Sequence, residues 1–167
     1  MIRAAVITIS DSVAEGVRED LSGPALKHRI ESLGWEVVTQ ETAPDERPRI
    51  AALLRELADR GGVSLILTTG GTGVAMRDVT PEATRDAADR EIPGFGEQMR
   101  AEGLKYTPFA ILSRGIAATR GGTLIINLPG SPKGAIESFD AVAHLIPHVV
   151  DLLEGRTGHA APTPARN

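Results

Sequence analysis

Residues 64–73 read Ser-Leu-Ile-Leu-Thr-Thr-Gly-Gly-Thr-Gly. The first six are short, β-favouring and nearly all apolar, as expected of a strand covered on both faces. Three glycines then fall within residues 70–73. Glycine lets the backbone take positive φ and approach a ligand closely, so consecutive N–H groups there can face phosphate oxygens. A buried strand that empties into such a turn is the unit from which open α/β sheets are built, and it sets the question for the rest of the chain.

Working outward, three more segments read as strands: Ile2 to Ile9, Trp35 to Thr42 and Thr123 to Leu128. Helical patterns separate them. Ile50, Leu53, Leu54, Leu57 and Ala58 recur at helical spacing and place one apolar stripe on a helix from Arg47 to Arg60, ended by Gly61 and Gly62. A weaker helix covers Leu26 to Leu33 and stops at Gly34, and Phe95 to Leu104 follows the restart at Pro93-Gly94. Thr80-Pro81-Glu82 reads as N-cap, proline at the first helical position and acidic first turn. The last helix starts at Ser131-Pro132, runs to Leu153 and is expected to kink at Pro147. The predicted architecture is α/β and three-layered, a mostly parallel sheet with helices on both faces. Residues 1–154 form the domain, and 155–167, without apolar periodicity, form a flexible C-terminal tail.

Composition narrows the function. The 167 residues are 41% hydrophobic but only 3% aromatic, with a net charge of -4. This fits one compact domain and removes both the stacking platforms and the basic footprint of a nucleic-acid binder. With no cysteine there is no disulfide framework or thiolate metal site, and the apolar start is too short for a signal peptide core or a membrane span. The expected location is the cytoplasm.

In a parallel sheet the carboxyl ends of the strands share one edge, where ligands bind. Here those ends run into Ser10-Asp11-Ser12, Ala43-Pro44-Asp45, Gly70-Gly71-Thr72-Gly73 and Asn127-Leu128-Pro129-Gly130-Ser131. The glycine turn is neither a Walker A loop nor a dinucleotide fingerprint, because no Gly-Lys-Ser/Thr follows and Met76 stands where the third glycine belongs. Asp78 stands beside it, free of capping if Thr80 caps the helix, which makes a metal-ligand role plausible. Asp45 reads from its spacing first as the cap of the helix it precedes and second as another carboxylate for the same ion. One or two carboxylates plus substrate phosphates suffice for Mg²⁺. Of the basic residues near these loops, Arg77, Lys105, Arg114, Arg120 and Lys133, the best placed for an anionic substrate are Arg114 and Lys133. His144 and His148 have helical spacing but no third ligand, and read as helix surface.

With RDVTPEAT, IPGFGEQMR, LKYTPFAILSR and TLIINLPGSPKGA following TTGGTG in order, the chain resembles the molybdopterin adenylyltransferase family of molybdenum cofactor biosynthesis. The match runs from VITISDS to the end of the last helix. The resemblance implies a molybdopterin-binding-domain-like fold and a nucleotidyltransferase that uses ATP and Mg²⁺ to move AMP onto the terminal phosphate of molybdopterin, releasing pyrophosphate. It also implies that Asp78 and Asp45 are the catalytic, metal-holding acids. Substrate contacts fall, on the same basis, to Ser10, Asp11, Gly70, Gly71, Thr72, Gly73, Ser113, Asn127, Pro129, Gly130, Ser131 and Lys133. A homotrimer, or a hexamer, and hand-over to a molybdenum insertase are the partners it suggests. Gly103 departs from the pattern, since relatives often carry Ser there. Two other readings are a module that binds molybdopterin without turnover, which the presence of both Asp45 and Asp78 disfavours, and the related domain of the insertase, which normally sits in a longer chain.

Overall fold

The protein, seen in a computed structural model, is described for residues 1–156. The expected tail therefore lies, from residue 157 on, outside the described residues. Six strands form one sheet: β1 (Arg3–Ile9), β2 (Glu36–Ala43), β3 (Leu65–Thr69), β4 (Arg90–Glu91), β5 (Ala117–Arg120) and β6 (Thr123–Leu128), in the order β2-β1-β3-β6-β5-β4. β2, β1, β3 and β6 are mutually parallel, while β5 and β4 add antiparallel strands along one edge.

The four long strands are those expected from the sequence. β4 and β5 are not among them, being two and four residues long with no alternation to read. A signal for β5 exists nonetheless. Gly121-Gly122 joins it to β6, with Arg120 facing Thr123 across the turn, and the positive φ of Gly121 (51°) is what a tight two-residue hairpin demands.

Side-chain alternation along each central strand divides the core in two. A single-turn helix, α1 (Asp11–Ala14), follows the end of β1. Ala4, Val6, Leu65, Leu67, Leu124 and Ile126 face one side, covered by α2 (Ser22–Ser32), α5 (Pro93–Gly103), α6 (Pro132–Val142) and α7 (Ile146–Leu153). Ala5, Ile7, Ile9, Ile66 and Ile125 face the other, covered by α3 (Arg47–Asp59) and α4 (Thr80–Ala87). Burial of the sheet on both faces explains why β3 and β6 read as mostly apolar, with every residue buried. The expected kink of the last helix is a full break: α6 and α7 are separated by a 3-10 turn over Ala143–Leu145, and Pro147 enters α7 in its first turn, where its missing N–H costs no helical bond.

The start of α4 corrects one expectation. Val79, not Thr80, is the cap, and it supplies no side-chain bond. The Thr80 hydroxyl instead donates to the Gly70 carbonyl at 3.0 Å, in a buried position. Gly70 turns at φ 106°, which carries its carbonyl out of the sheet ladder, and Thr80 satisfies it.

Candidate active site

The strand order reverses between β1 and β3, with β2 on one side and β6 on the other, and the carboxyl ends of β1, β2, β3 and β6 do share one edge. Two cavities open there. The larger, about 520 Å³, is walled by the glycine turn (Gly71, Thr72, Gly73), by Asp78, by the β6 exit (Asn127, Pro129, Gly130, Ser131), and by α5 and the 3-10 helix Pro108–Leu112, with Met99, Arg100, Gly103, Phe109, Ala110 and Ser113 among its lining. The smaller, about 390 Å³, is polar: Ser10, Arg18, Glu19, Asp20, Asp45 and Asp78 line it together with Thr69 and Gly70. The two cavities share four residues, Gly71, Asp78, Gly130 and Ser131.

The glycines of the turn are required by packing as much as by any ligand. Gly70 and Gly71 have φ of 106° and 68°, in the region that L side chains avoid. A Cβ on Gly70 would strike the Ile9 carbonyl, one on Gly71 the Thr80 hydroxyl, and one on Gly73 would lie 2.8 Å from Asp78 Oδ2. Gly130 rests directly on Gly70, its Cβ position 3.3 Å from the Gly70 Cα. The hydroxyl of Thr69 donates to the Pro129 carbonyl at 2.7 Å and ties the β6 exit to the β3 exit.

Asp45 is not the cap of α3. Glu46 holds that position without a side-chain bond. Asp45 and Asp11 instead bond reciprocally: Asp11 N–H donates to Asp45 Oδ2 and Asp45 N–H to Asp11 Oδ1, each at 3.0 Å. Burial, opposed by that bond from Asp11, raises the Asp45 carboxyl above the usual carboxylate range, and the charges of Asp11 and Asp78 push the same way. Asp11 is held below its ordinary value, first by the Arg77 guanidinium, which grips it with bonds of 2.6 and 3.0 Å. Asp78 accepts from the Ala75 N–H through Oδ2 at 2.9 Å, so its carboxylate also closes its own loop.

Other assignments move. Asn127, expected against substrate, lies in the wall of the larger cavity, but its side-chain bonds all run into the core: Nδ2 donates to the Thr68 and Thr84 hydroxyls at 3.1 and 2.9 Å, and Oδ1 accepts from Ile116 N–H at 3.4 Å. Asp11 lines neither cavity, being engaged by Arg77 and Asp45. Lys133 also lines neither; its side chain is 84% exposed and points toward Glu137 at 3.8 Å. Lys105 pairs with Glu102, and Arg120 pairs with Asp59. Ser10 and Ser131 do line the site, each also capping a helix: Ser10 Oγ accepts from Val13 N–H at 3.3 Å and Ser131 Oγ from Gly134 N–H at 3.1 Å. Ser113, Pro129 and Gly130 lie in the wall of the larger cavity. His144 and His148 are exposed, as read from the sequence.

What sequence reading missed is the wall made by Met99, Arg100, Phe109 and Ala110, and Asp20 in the smaller cavity, whose carboxylate accepts from the Thr8 hydroxyl at 2.7 Å and Gly23 N–H at 3.0 Å. Apolar and helical wall residues carry no local polarity signal. At Gly103 the departure from Ser has a local partner, because a Cβ there would lie 2.7 Å from the Ala110 Cβ. Ala110 fills the space that a longer side chain would need.

A two-carboxylate metal site fits these residues. Asp45 and Asp78 both line the smaller cavity, and each accepts a protein hydrogen bond through Oδ2 alone, which leaves the other oxygen for a ligand. Among the described residues no group of three or more His, Cys, Asp or Glu side chains could hold an ion, so protein ligands would number two and phosphate oxygens or water would complete the shell, as Mg²⁺ prefers. No helix among the described residues is long and apolar enough to cross a membrane.

Comparison with known proteins bears on what such a site does. The family model described as "Probable molybdopterin binding domain" matches residues 5–148. The chain is 46% identical to the molybdopterin adenylyltransferase of Helicobacter pylori (strain J99) over 92% of its own length and 89% of that protein's. It is 42% identical to the molybdopterin adenylyltransferase of Escherichia coli (strain K12), covering 96% and 90%. Among solved structures, the molybdopterin biosynthesis enzyme MoaB from Thermus thermophilus superposes with a TM-score of 0.87 at 52% identity, covering 93% of this chain and 98% of that one.

Proposed function

The chain belongs to the family of molybdopterin-binding domains, and on that premise we propose that it is a molybdopterin adenylyltransferase, transferring AMP from ATP to the terminal phosphate of molybdopterin with release of pyrophosphate. The observation that carries this reading is the pair of adjoining cavities that meet at Gly71, Asp78, Gly130 and Ser131. Two substrates, one in each, bring their phosphates together at that shared wall. A terminal phosphate oxygen of molybdopterin attacks the α-phosphorus of ATP. The new P–O bond forms as the bond to the bridging oxygen breaks, and pyrophosphate leaves with the electron pair.

The attacking phosphate is already ionised, so the protein needs no general base. Its work is placement and charge neutralisation. The positive φ of Gly70 and Gly71 turns the β3 exit into the meeting point, and the Thr69 bond to Pro129 fixes the distance between its two sides. Asp45 and Asp78 are the residues that would hold Mg²⁺, which supplies charge stabilisation at the phosphate oxygens when bound. ATP then serves as co-substrate and Mg²⁺ as the metal cofactor.

The test is incubation with molybdopterin, Mg²⁺ and ATP labelled at the α-phosphate. Labelled AMP joined to molybdopterin is expected, with transfer abolished in Asp78→Asn while the melting temperature holds. A wild-type protein that binds molybdopterin but forms no adduct contradicts the reading and leaves a binding module. A cytoplasmic homotrimer that passes its product to a molybdenum insertase completes the proposal; Leu104, Tyr106, Phe109 and Ile111, each at least half exposed, are apolar surface that such an assembly would cover, and molar mass by light scattering checks it.

A further inference from the structure

Arg114 reads from sequence as a contact for an anionic substrate, but its guanidinium is already engaged. Nε donates to the Gly73 carbonyl at 2.7 Å and Nη2 to the Asp78 carbonyl at 2.7 Å. Nη1 and Nη2 both reach the Glu82 carboxylate in the first turn of α4, and the Arg114 N–H donates to the Thr72 carbonyl at 2.8 Å. Arg114 lines neither of the two cavities that Asp78 lines. It stands behind the wall.

The loop it grips has little else to hold it. Residues 74–77 are all exposed, Val74 at 71% and Met76 at 96%. Inside the loop, Asp78 Oδ2 accepts from Ala75 N–H and Asp78 N–H donates to the Ala75 carbonyl at 3.0 Å. These bonds shape the loop without fastening it to the sheet. Arg77 also reaches out of the loop, in a bidentate pair with Asp11, but its side chain is 62% exposed against 36% for Arg114, so solvent screens it more strongly. Arg114 joins the loop's entry, at Gly73, to its exit, at Asp78, through one rigid planar group. Lysine could not do this, since a single ammonium cannot span two carbonyls and a carboxylate in the same fork geometry. Glu82 holds the fork in place and neutralises it.

We infer that Arg114, anchored by Glu82, is a positioning residue that fixes where the Asp78 carboxylate stands at the junction of the two cavities. The inference rests on the proposed adenylyl transfer, with Asp78 as the working acid. It assigns Arg114 no contact with either substrate.

The experiment compares wild type with Arg114→Gln, Arg114→Lys and Glu82→Gln, each checked for folding by its melting curve. Three quantities are read: kcat and KM for labelled AMP transfer, the Mg²⁺ concentration for half-maximal activity, and Mn²⁺ binding to the protein without substrates, followed by electron paramagnetic resonance, with Asp78→Asn as the reference for lost binding. Arg114→Gln is expected to lower kcat at least thirtyfold, to change either KM less than threefold, and to weaken Mn²⁺ binding and raise the Mg²⁺ requirement at least fivefold. Arg114→Lys should recover only a small part, and Glu82→Gln should fall between Arg114→Lys and wild type. A rise in KM for molybdopterin with unchanged Mn²⁺ binding makes Arg114 a substrate contact and overturns the inference. So does a lower melting temperature with full activity per folded molecule. A wild type without transfer would sink the function reading itself, whereas the Mn²⁺ measurement still reports on where Arg114 holds Asp78.

Discussion

Gly71→Ala isolates the packing of the glycine turn. At φ 68° an alanine carries the left-handed penalty of about 1–2 kcal/mol. Its Cβ would also land on the Thr80 hydroxyl and 3.1 Å from Asp45 Oδ1. Thr80 is fully buried and its hydroxyl donates to the Gly70 carbonyl, so displacing it leaves a buried polar group unpaired at a further cost of about 1–3 kcal/mol. The sum, about 2–5 kcal/mol, corresponds to a fall in melting temperature of roughly 4–20 °C for a chain of this size. Gly34→Ala is the internal control: its φ is 78° with nothing within 4 Å of the added Cβ, so only the backbone penalty of about 1–2 kcal/mol applies. Thermal unfolding followed by circular dichroism, with urea denaturation for the free energies, measures both. Equal losses in the two variants refute the reasoning, because they would mean that the contact with Thr80 costs nothing and that conformation alone selects glycine at position 71.

Two further outcomes follow from the same geometry. Asn127→Ala strands the Thr68 hydroxyl and the Ile116 N–H and takes one of two partners from the Thr84 hydroxyl, which still donates to the Thr80 carbonyl, so urea denaturation should show a loss of at least about 2 kcal/mol, with both KM values within twofold of wild type; a large KM change in a stable variant would return Asn127 to the substrate. For Asp45 the sign comes from a raised carboxyl: the folded state binds the proton more tightly than the unfolded chain, so its contribution is complete at low pH and is lost as pH rises past the ordinary carboxylate value toward the folded one. Asp45→Asn escapes that loss, and its melting temperature relative to wild type should climb between about pH 3 and pH 7 while AMP transfer collapses. A difference that stays flat across that range, or one that falls, contradicts the assignment.

β1, β3 and β6 were legible because strands covered on both faces need nearly continuous apolar runs, and β2, at the sheet edge, because Val37, Val38 and Thr39 favour a strand. Their ends were legible as a site, since parallel strands finish on one edge. β4 and β5 escaped because strands of two and four residues have no period, although the Gly121-Gly122 turn was there to be read. Side-chain roles were harder. Whether Arg114, Asn127 or Asp11 faces a ligand depends on which carbonyls and hydroxyls the fold delivers to it, and those partners lie 32 to 59 residues away for Glu82, Thr84 and Thr68 and 34 and 66 for Asp45 and Arg77. Asp78 was singled out on the premise that Thr80 capped α4, and Thr80 caps nothing. The carboxylate is nonetheless at the cavity junction, because the loop that bears it is closed on itself and clamped from behind.

Two of the four residues common to both cavities, Gly71 and Gly130, have no side chain to lose. Their passage is at its widest already, and every substitution there adds atoms. At these two positions mutational drift can only add bulk, so this part of the junction acts as a fixed gauge on what the two chambers exchange. Room for different molecules has to come from Asp78 and Ser131 or from the outer walls, where Met99, Phe109 and Ala110 on one side and Arg18, Glu19 and Asp20 on the other can be both enlarged and cut back.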